Sequence, residues 1–194
     1  MQKTYIFLGN SGSGKGTQAH KLDQLLKEKG ENNFMVEIGP GFRDLWQRTS
    51  DSAKLSIEMN KKGELQPEFL AIYIWADLFL KYFSKDKNII IDGSPRRIRE
   101  AKILDNALKF YEVEKPMVIL LDISRDEAKK RMLSRGREDD DELKIEGRLD
   151  WFETDVKRSI DFFKEDEYYN FIEINGEQSI EEIFEEILRK IKLK

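Results

Sequence analysis

The chain contains no cysteine, a single histidine (His20) and only four prolines among its 194 residues. Without cysteine it can form neither disulfides nor thiolate metal sites. One imidazole cannot build a histidine-based metal centre, and a histidine-dependent catalytic triad is not expected either. The chemistry that remains is the kind that glycine backbone, lysine, arginine and carboxylates perform.

Long apolar runs and an excess of basic charge are also missing. The most apolar stretch, residues 69–83, contains Asp77 and is too short for a bilayer span, which predicts a buried helix. The formal net charge of −4 argues against nucleic acid as a partner. No signal-peptide pattern precedes the first strand, so we expect a cytoplasmic monomer with no membrane partner.

Apolar segments alternate with amphipathic segments along the whole chain, which predicts a parallel α/β sheet with its ligand site at the carboxyl ends of the strands. The predicted strands are residues 4–8, 34–38, 88–92, 117–122 and 171–174. The predicted helices are residues 15–29, two short helices within 39–63, one opening at Pro67, then 97–110, 125–133, 142–164 and one from Ser179. Ser179 and Glu182 are spaced as a capping box at the start of the last helix.

A glycine-rich segment, GNSGSGKGTQ at residues 9–18, lies between the first predicted strand and the first predicted helix. Its G-x-x-x-x-G-K spacing, from Gly9 to Gly14 and Lys15, is the phosphate-binding loop pattern. Backbone N–H groups and the helix N-terminus cradle an anion in such loops, and the lysine reaches the outer phosphates. A flexible turn with a solvent-exposed lysine is the alternative, and the strand–loop–helix context argues against it. Gly16 stands where a hydroxyl residue is usual, with Thr17 one place later, so direct magnesium ligation by a hydroxyl is not expected.

Three motifs together carry a resemblance to a known family. They are GxxGxGKGTQ at residues 9–18, DGSPR at 92–96, and RMLSRGREDD at 131–140 followed by Arg148. In order and spacing they resemble the adenylate kinase family of nucleoside monophosphate kinases, in its short-lid form, along the whole chain. The resemblance implies a P-loop kinase fold with a five-stranded parallel sheet of order 2-3-1-4-5. It also implies one core over residues 1–194, with an inserted segment at 38–67 that binds the nucleoside monophosphate and a short lid at 136–147.

The same resemblance implies Mg²⁺-dependent transfer of a phosphoryl group from ATP to AMP, with Mg²⁺ arriving on ATP and Asp92 acting on it through water. The implied catalytic residues are Lys15, Arg96, Arg135, Arg137 and Arg148. The implied ATP-binding residues are Gly12, Ser13, Gly14, Lys15, Gly16, Thr17, Arg131, Arg135 and Gln178. The implied AMP-binding residues are Ile38, Gly39, Arg43, Glu64, Leu65, Gln66, Gly93, Arg96, Glu100, Arg137 and Arg148.

Arginines suit this chemistry because the terminal phosphate of the acceptor is largely dianionic at pH 7 and needs no general base. Catalysis is then mostly alignment and charge neutralisation. Any one of these arginines, taken alone, fits a solvated surface charge equally well. The acidic run EDDDE at 138–142 also has two interpretations. It is an exposed loop, or, as the family resemblance implies, Asp139 and Asp140 bind lid arginines when the lid closes.

The acceptor base is the least determined feature of the sequence. Glu100 stands at the position of the family's adenine-reading glutamine, and an ionised carboxylate only accepts hydrogen bonds, which suits guanine better. Arg97 or Arg99 could instead pair with Glu100, and a glutamate can still accept from adenine N6. Ile38 stands where a hydroxyl residue is common and Ser94 where an aromatic is common. We expect AMP as the acceptor, with GMP or a broad range of monophosphates as the alternative.

Two other classes of function also fit a P-loop protein. A nucleotide-binding switch would need no acceptor-phosphate clamp, so Arg43 and Arg96 argue against it. A kinase of a non-nucleotide metabolite is disfavoured by the DGSPR motif.

Overall fold

The computed structural model describes residues 2–135 and 142–193. The strands of this described part are β1 Thr4–Gly9, β2 Asn33–Glu37, β3 Asn88–Asp92, β4 Met117–Asp122 and β5 Asn170–Asn175. They form one sheet of order β2-β3-β1-β4-β5, and every neighbouring pair is parallel. The predicted parallel sheet, its strand order and its central first strand are confirmed.

Helices connect the strands and cover both faces of the sheet. They are α1 Lys15–Glu28, α2 Ile38–Trp46, α3 Asp51–Lys61, α4 Glu68–Tyr82, α5 Ile98–Phe110, α6 Arg125–Arg135, α7 Glu142–Trp151, α8 Lys157–Glu165 and α9 Ile180–Lys190. The predicted capping box at α9 is present, because the Ser179 side chain accepts from the Glu182 backbone N–H and the Glu182 carboxylate accepts in return.

β1 is the central strand of the sheet, and its position explains its continuous apolar sequence. Successive side chains of a strand point to opposite faces. Tyr5 and Phe7 enter the core shared with α1 and α9, whereas Ile6 and Leu8 enter the core shared with α4, α5 and α8. All four are buried, because β1 lies in the middle of a sheet covered on both sides. Its carboxyl end therefore points the glycine loop at the centre of one sheet edge.

Two predicted elements are wrong in their bounds. β2 ends at Glu37, paired with Asp92, and Ile38 begins α2 instead of closing the strand. β3 ends at Asp92, so no strand residue remains for Ile38 to pair with, and Pro40 is tolerated in the first turn of a helix. The helix predicted at 142–164 is interrupted by a π-helical turn, Phe152–Val156.

That wide turn changes which side of the helix faces inward. Ile145 and Leu149 of α7 pack with Ala128 and Met132 of α6. Phe152 and the apolar residues after it pack instead with the core beneath α4 and α5. A π-helical turn adds a residue to the normal helical repeat. A sequence pattern read at 3.6 residues per turn does not detect it.

The apolar stretch at 69–83 forms α4, and only one side of it is buried. Ile74, Trp75 and Phe79 lie in the core, while Phe69 is 65% exposed and Leu80 is 81% exposed. The prediction of a helix is right, and the prediction that it is buried holds for one face only. Among the residues that the structure describes, no helix is both long and apolar enough to cross a membrane.

Candidate active site

The glycine loop joins the end of β1 to the start of α1, at the carboxyl edge of the sheet. Gly14 is the N-cap of α1 and has a φ of 86°, a left-handed conformation that favours glycine. The first backbone N–H groups of a helix have no acceptor within it. Those of Lys15, Gly16 and Thr17 therefore point out of the helix end, with the positive pole of α1 behind them. This arrangement binds phosphate oxygens.

Side chains within the loop hold the loop shape and leave polar atoms for a ligand. Lys15 Nζ donates to the Asn10 carbonyl at 3.2 Å, and the Ser13 N–H donates to the same carbonyl at 3.1 Å. Within the described part of the chain, Asn10 Oδ1 and Ser13 Oγ are buried without a hydrogen-bond partner. A buried polar atom in this state is costly, and a bound polar ligand would satisfy it.

Gly16 is explained by its contact with β3. A Cβ added at Gly16 would lie 3.0 Å from Asp92 Oδ2, so a larger residue would press on that carboxylate. A glycine at this position therefore leaves room for the Asp92 carboxylate beside the loop. Asp92 Oδ1 is buried and has no hydrogen-bond partner among the described residues. An acceptor-only oxygen beside the phosphate loop fits a divalent cation or the water bound to one.

Arg96 follows β3 and is tightly surrounded. Its Nε donates to the Gly93 carbonyl at 2.8 Å, and its guanidinium carbon lies 5.3 Å from the centre of the Trp151 ring. Burial lowers the pKa of Arg96, and the positive charge of Arg148 acts in the same direction, whereas Glu100 and Asp92 oppose them. Arginine remains protonated in proteins, so Arg96 presents a fixed positive charge. Two of the predicted arginines, Arg96 and Arg148, are thus brought close together.

Residues predicted to bind the phosphate donor and residues predicted to bind the acceptor line one cavity. It is lined by Phe7, Leu8, Gly9, Ser11, Lys15, Gly93, Ser94, Pro95, Arg96, Trp151 and Val156. Lys15 from the glycine loop and Arg96 from the segment after β3 thus line the same cavity. Trp151 had not been predicted from the sequence, because an isolated tryptophan in a helical segment carries no motif.

A second, more apolar pocket lies beside Arg96, between α2, α4 and α5. Its lining residues are Ile38, Phe42, Leu65, Gln66, Glu68, Ala71, Gly93, Arg96, Arg97 and Glu100. The structure therefore brings six predicted acceptor residues to one pocket, and Gly39, Arg43 and Glu64 do not line it. The side chain of Arg43 folds back over Gly39, with Nη1 3.3 Å from the position of an added Cβ there. The pocket residues Phe42, Glu68, Ala71 and Arg97 were missed, since inward positions on helices look like ordinary core or surface.

Gln66 is bound to its own segment through its side chain. Its amide oxygen accepts from Ser56 Oγ at 2.7 Å, and its amide nitrogen donates to the Ser56 carbonyl at 2.9 Å. The Gln66 carbonyl accepts from Arg97 at 3.1 Å. Gln66 therefore fixes the wall of the pocket, joining α3 to the start of α4.

Glu100 is held by the loop that precedes α5. Its Oε2 accepts from the Arg96 backbone N–H at 2.8 Å, and its Oε1 accepts from Ser94 Oγ. It is only 2% exposed, and burial raises its pKa against the opposing effect of these hydrogen bonds. The side-chain pairing of Glu100 with Arg97 or Arg99 is wrong, because Arg97 binds Asp155 and Arg99 binds Glu68.

The remaining predicted donor residues lie on α6 and before α9. Arg131 packs over the glycine loop, its Cβ 3.5 Å from the position of an added Cβ at Gly12, and its Nε donates to Glu127 at 2.7 Å. The amide of Gln178 donates to Asn175 and Glu186. Arg135 ends α6 and is exposed. Arg137, Asp139 and Asp140, together with residues 136–141 of the predicted lid, lie outside the described residues.

The strand order, the phosphate-binding loop and the cavity shared by Lys15 and Arg96 define the class of P-loop phosphotransferases. The adenylate kinase family model matches residues 7–168. The chain is 33% identical over 187 residues to an adenylate kinase of Azobacteroides pseudotrichonymphae, covering 94% of each chain. It is 35% identical over 196 aligned positions to an adenylate kinase of Leptospira biflexa, covering 97% of this chain and 100% of the relative. It is also 32% identical to an adenylate kinase of Corynebacterium urealyticum over 184 residues.

This chain belongs to the adenylate kinase family, and it is a nucleotide-binding phosphotransferase. The resemblance inferred from the three motifs is therefore confirmed.

Proposed function

We propose that this enzyme catalyses the reversible, Mg²⁺-dependent transfer of the γ-phosphoryl group of ATP to AMP, giving two ADP. The observation that carries the proposal is the single cavity that both Lys15 and Arg96 line. The loop that binds donor phosphates and the arginine that binds the acceptor phosphate then face the same reaction space. A pure nucleotide switch has no use for the second of these groups.

The proposed roles follow from charge and position. The α1 N-terminus and Lys15 would hold the donor phosphates, and Arg96, with Arg43, would hold the acceptor phosphate. Arg135, Arg137 and Arg148 would neutralise the charge that spreads over the transferring group. Mg²⁺ would supply further charge neutralisation when bound with ATP, and Asp92, whose Oδ1 is buried without a partner among the described residues, would hold its water. No general base is required, because the acceptor phosphate is already ionised.

Water must be kept out of the reaction space, since it competes with AMP as an acceptor. We propose that residues 38–67 form the acceptor-binding segment and residues 136–147 the short lid, and that both close before transfer. The enzyme would act as a monomer, because one chain supplies both Lys15 and Arg96.

The base of AMP would bind at the apolar pocket beside Arg96, whose lining includes Ile38, Phe42, Leu65 and Ala71. GMP is the competing acceptor, because the carboxylates of Glu68 and Glu100 also line the pocket and carboxylates only accept hydrogen bonds. Both oxygens of Glu100 already accept hydrogen bonds from the protein, which favours AMP over GMP.

The test is a set of coupled assays of ATP with AMP, GMP, CMP and UMP, with and without Mg²⁺. We expect ADP formation that depends on Mg²⁺ and is fastest with AMP, and Lys15→Met as the matched inactive control. A higher kcat/KM with GMP than with AMP would show that GMP is the preferred acceptor. ATP binding without any monophosphate acceptor would contradict the proposal and indicate a switch.

A further inference from the structure

We infer that Trp151 is a positioning residue that holds the Arg96 guanidinium in the orientation that binds the acceptor's phosphate. The inference rests on the proposed function, since it presumes that a nucleoside monophosphate is bound at Arg96. Trp151 is the last residue of α7 and lies in no sequence motif. It lines the same cavity as Lys15 and Arg96.

The contact is between a charge and the face of an aromatic ring. The guanidinium carbon of Arg96 lies 5.3 Å from the centre of the Trp151 indole, within the range of a cation–π interaction. Tryptophan offers the strongest such face of the natural side chains, and a planar guanidinium can stack on it. The indole therefore restricts the plane of the guanidinium from one side.

A hydrogen bond at Nε holds one edge of the Arg96 guanidinium but leaves its plane able to tilt about that bond. Nε donates to the Gly93 carbonyl at 2.8 Å, which anchors one edge of the guanidinium. Asp92 and Glu100 attract the charge electrostatically, while Arg148 repels it. Charges of both signs therefore act on the Arg96 guanidinium, and they do not by themselves define one orientation. The contact with the Trp151 ring restricts it to one.

The buried indole N–H of Trp151 carries a cost that a side chain kept only for packing would avoid. Within the described part of the chain, Trp151 Nε1 is buried without a hydrogen-bond partner. Burying an unsatisfied donor costs free energy that an aliphatic side chain of similar size would not incur. Trp151 directly precedes the π-helical turn Phe152–Val156, and such turns are frequent at functional sites.

The experiment compares Trp151→Leu and Trp151→Phe with the wild type in steady-state assays that vary the acceptor and the donor separately. Trp151→Leu keeps an apolar side chain and removes the aromatic face. We expect a rise of about five- to thirty-fold in the acceptor KM, and a change of less than about twofold in the ATP KM. Trp151→Phe keeps a weaker aromatic face and should restore much of the lost acceptor affinity. An unchanged acceptor KM in a folded Trp151→Leu enzyme would overturn the inference.

Phe152→Leu is the matched control, because Phe152 is the next residue and packs in the core instead of the cavity. It should lower the thermal stability without raising the acceptor KM. If Phe152→Leu raised the acceptor KM as much as Trp151→Leu, the effect of Trp151 would be one of general packing, and the inference would fail.

A double-mutant cycle isolates the route through Arg96. In an Arg96→Ala background, Trp151→Leu should have no further effect on the acceptor KM, because the group that it orients is gone. A full additional loss in that background would contradict the inference.

Failure of the proposed function has a different signature from failure of this inference. If the wild type phosphorylates GMP or another monophosphate in place of AMP, the comparison is made with that acceptor, since Arg96 would bind the phosphate common to all. If the wild type uses no monophosphate, the proposed function fails and the inference fails with it. If the wild type is active and Trp151→Leu matches it, only the inference fails.

Discussion

The replacement of Glu100 by alanine tests whether this carboxylate holds the loop after β3 or recognises the acceptor base. In the structure it accepts hydrogen bonds from the Arg96 backbone N–H and from Ser94 Oγ, and it is only 2% exposed. Glu100→Ala leaves both donors buried without their acceptor. Each such orphaned donor costs about 1–3 kcal/mol, so we expect the free energy of unfolding to fall by about 2–6 kcal/mol.

Glu100→Gln is the informative companion of this variant. Its amide oxygen can still accept from the Arg96 N–H, and its amide nitrogen can donate to Ser94 Oγ. We expect it to lose less than about 1.5 kcal/mol, because both loop contacts survive with one reversed in direction. Arg99→Ala is the matched surface control, since Arg99 pairs with Glu68 and not with Glu100, and exposed pairs contribute at most about 1 kcal/mol.

The assay is urea unfolding of the three variants, combined with kcat/KM for AMP and GMP. With the oxygens of Glu100 occupied by the loop, Glu100→Gln should leave the AMP/GMP ratio within about twofold of the wild type. Two results would refute the reasoning. One is a Glu100→Ala protein as stable as Arg99→Ala. The other is a rise of more than about fivefold in the AMP/GMP ratio of Glu100→Gln, which would show that residue 100 reads the base.

The same carboxyl has a pH dependence with a definite sign. Burial raises the pKa of Glu100 above its ordinary value of 4.5, so between these two pKa values the folded protein binds more protons than the unfolded chain. The free energy of unfolding of the wild type therefore falls as pH rises through that window. Glu100→Gln lacks this titration, so the wild type should gain stability relative to the variant as pH is lowered towards 4.5. A stability difference that does not vary with pH, measured by thermal unfolding, would contradict the burial argument.

Two further predictions concern the reaction space, and a third concerns the packing of α7. Lys15→Met should raise the activation free energy of transfer by about 3–4 kcal/mol without unfolding the protein. A variant that keeps more than about a tenth of the wild-type kcat would contradict this role. Arg43→Ala and Arg96→Ala should raise the acceptor KM and lower kcat with little change in ATP affinity; titrations in which the donor is weakened instead would show the two sites reversed. Gly147→Ala should destabilise the protein by about 1–3 kcal/mol, because its Cβ would lie 2.8 Å from the Gly63 carbonyl. Stabilisation, as expected for alanine in an unhindered helix, would show that this contact is absent in solution.

The sequence by itself determined the phosphate loop, the parallel sheet and the segment that carries Arg96. These are local features: G-x-x-x-x-G-K constrains its own backbone, and continuous apolar strands can only be covered on both faces. The capping box at Ser179 was predictable for the same reason, since its partners are three residues apart. Residue type and short-range spacing were enough to predict the loop and helix N-terminus that we propose as the phosphate site.

Only the tertiary structure decided which side chains meet across the site. Glu100 accepts from the Ser94 hydroxyl and the Arg96 backbone N–H, and does not pair with the side chains of Arg97 and Arg99, because those side chains pair with Asp155 and Glu68. Trp151 reaches Arg96 from the end of a helix more than fifty positions away in the sequence. Contacts of this kind depend on the relative rotation of packed helices. A rotation is set by the whole core and leaves no local pattern in the chain.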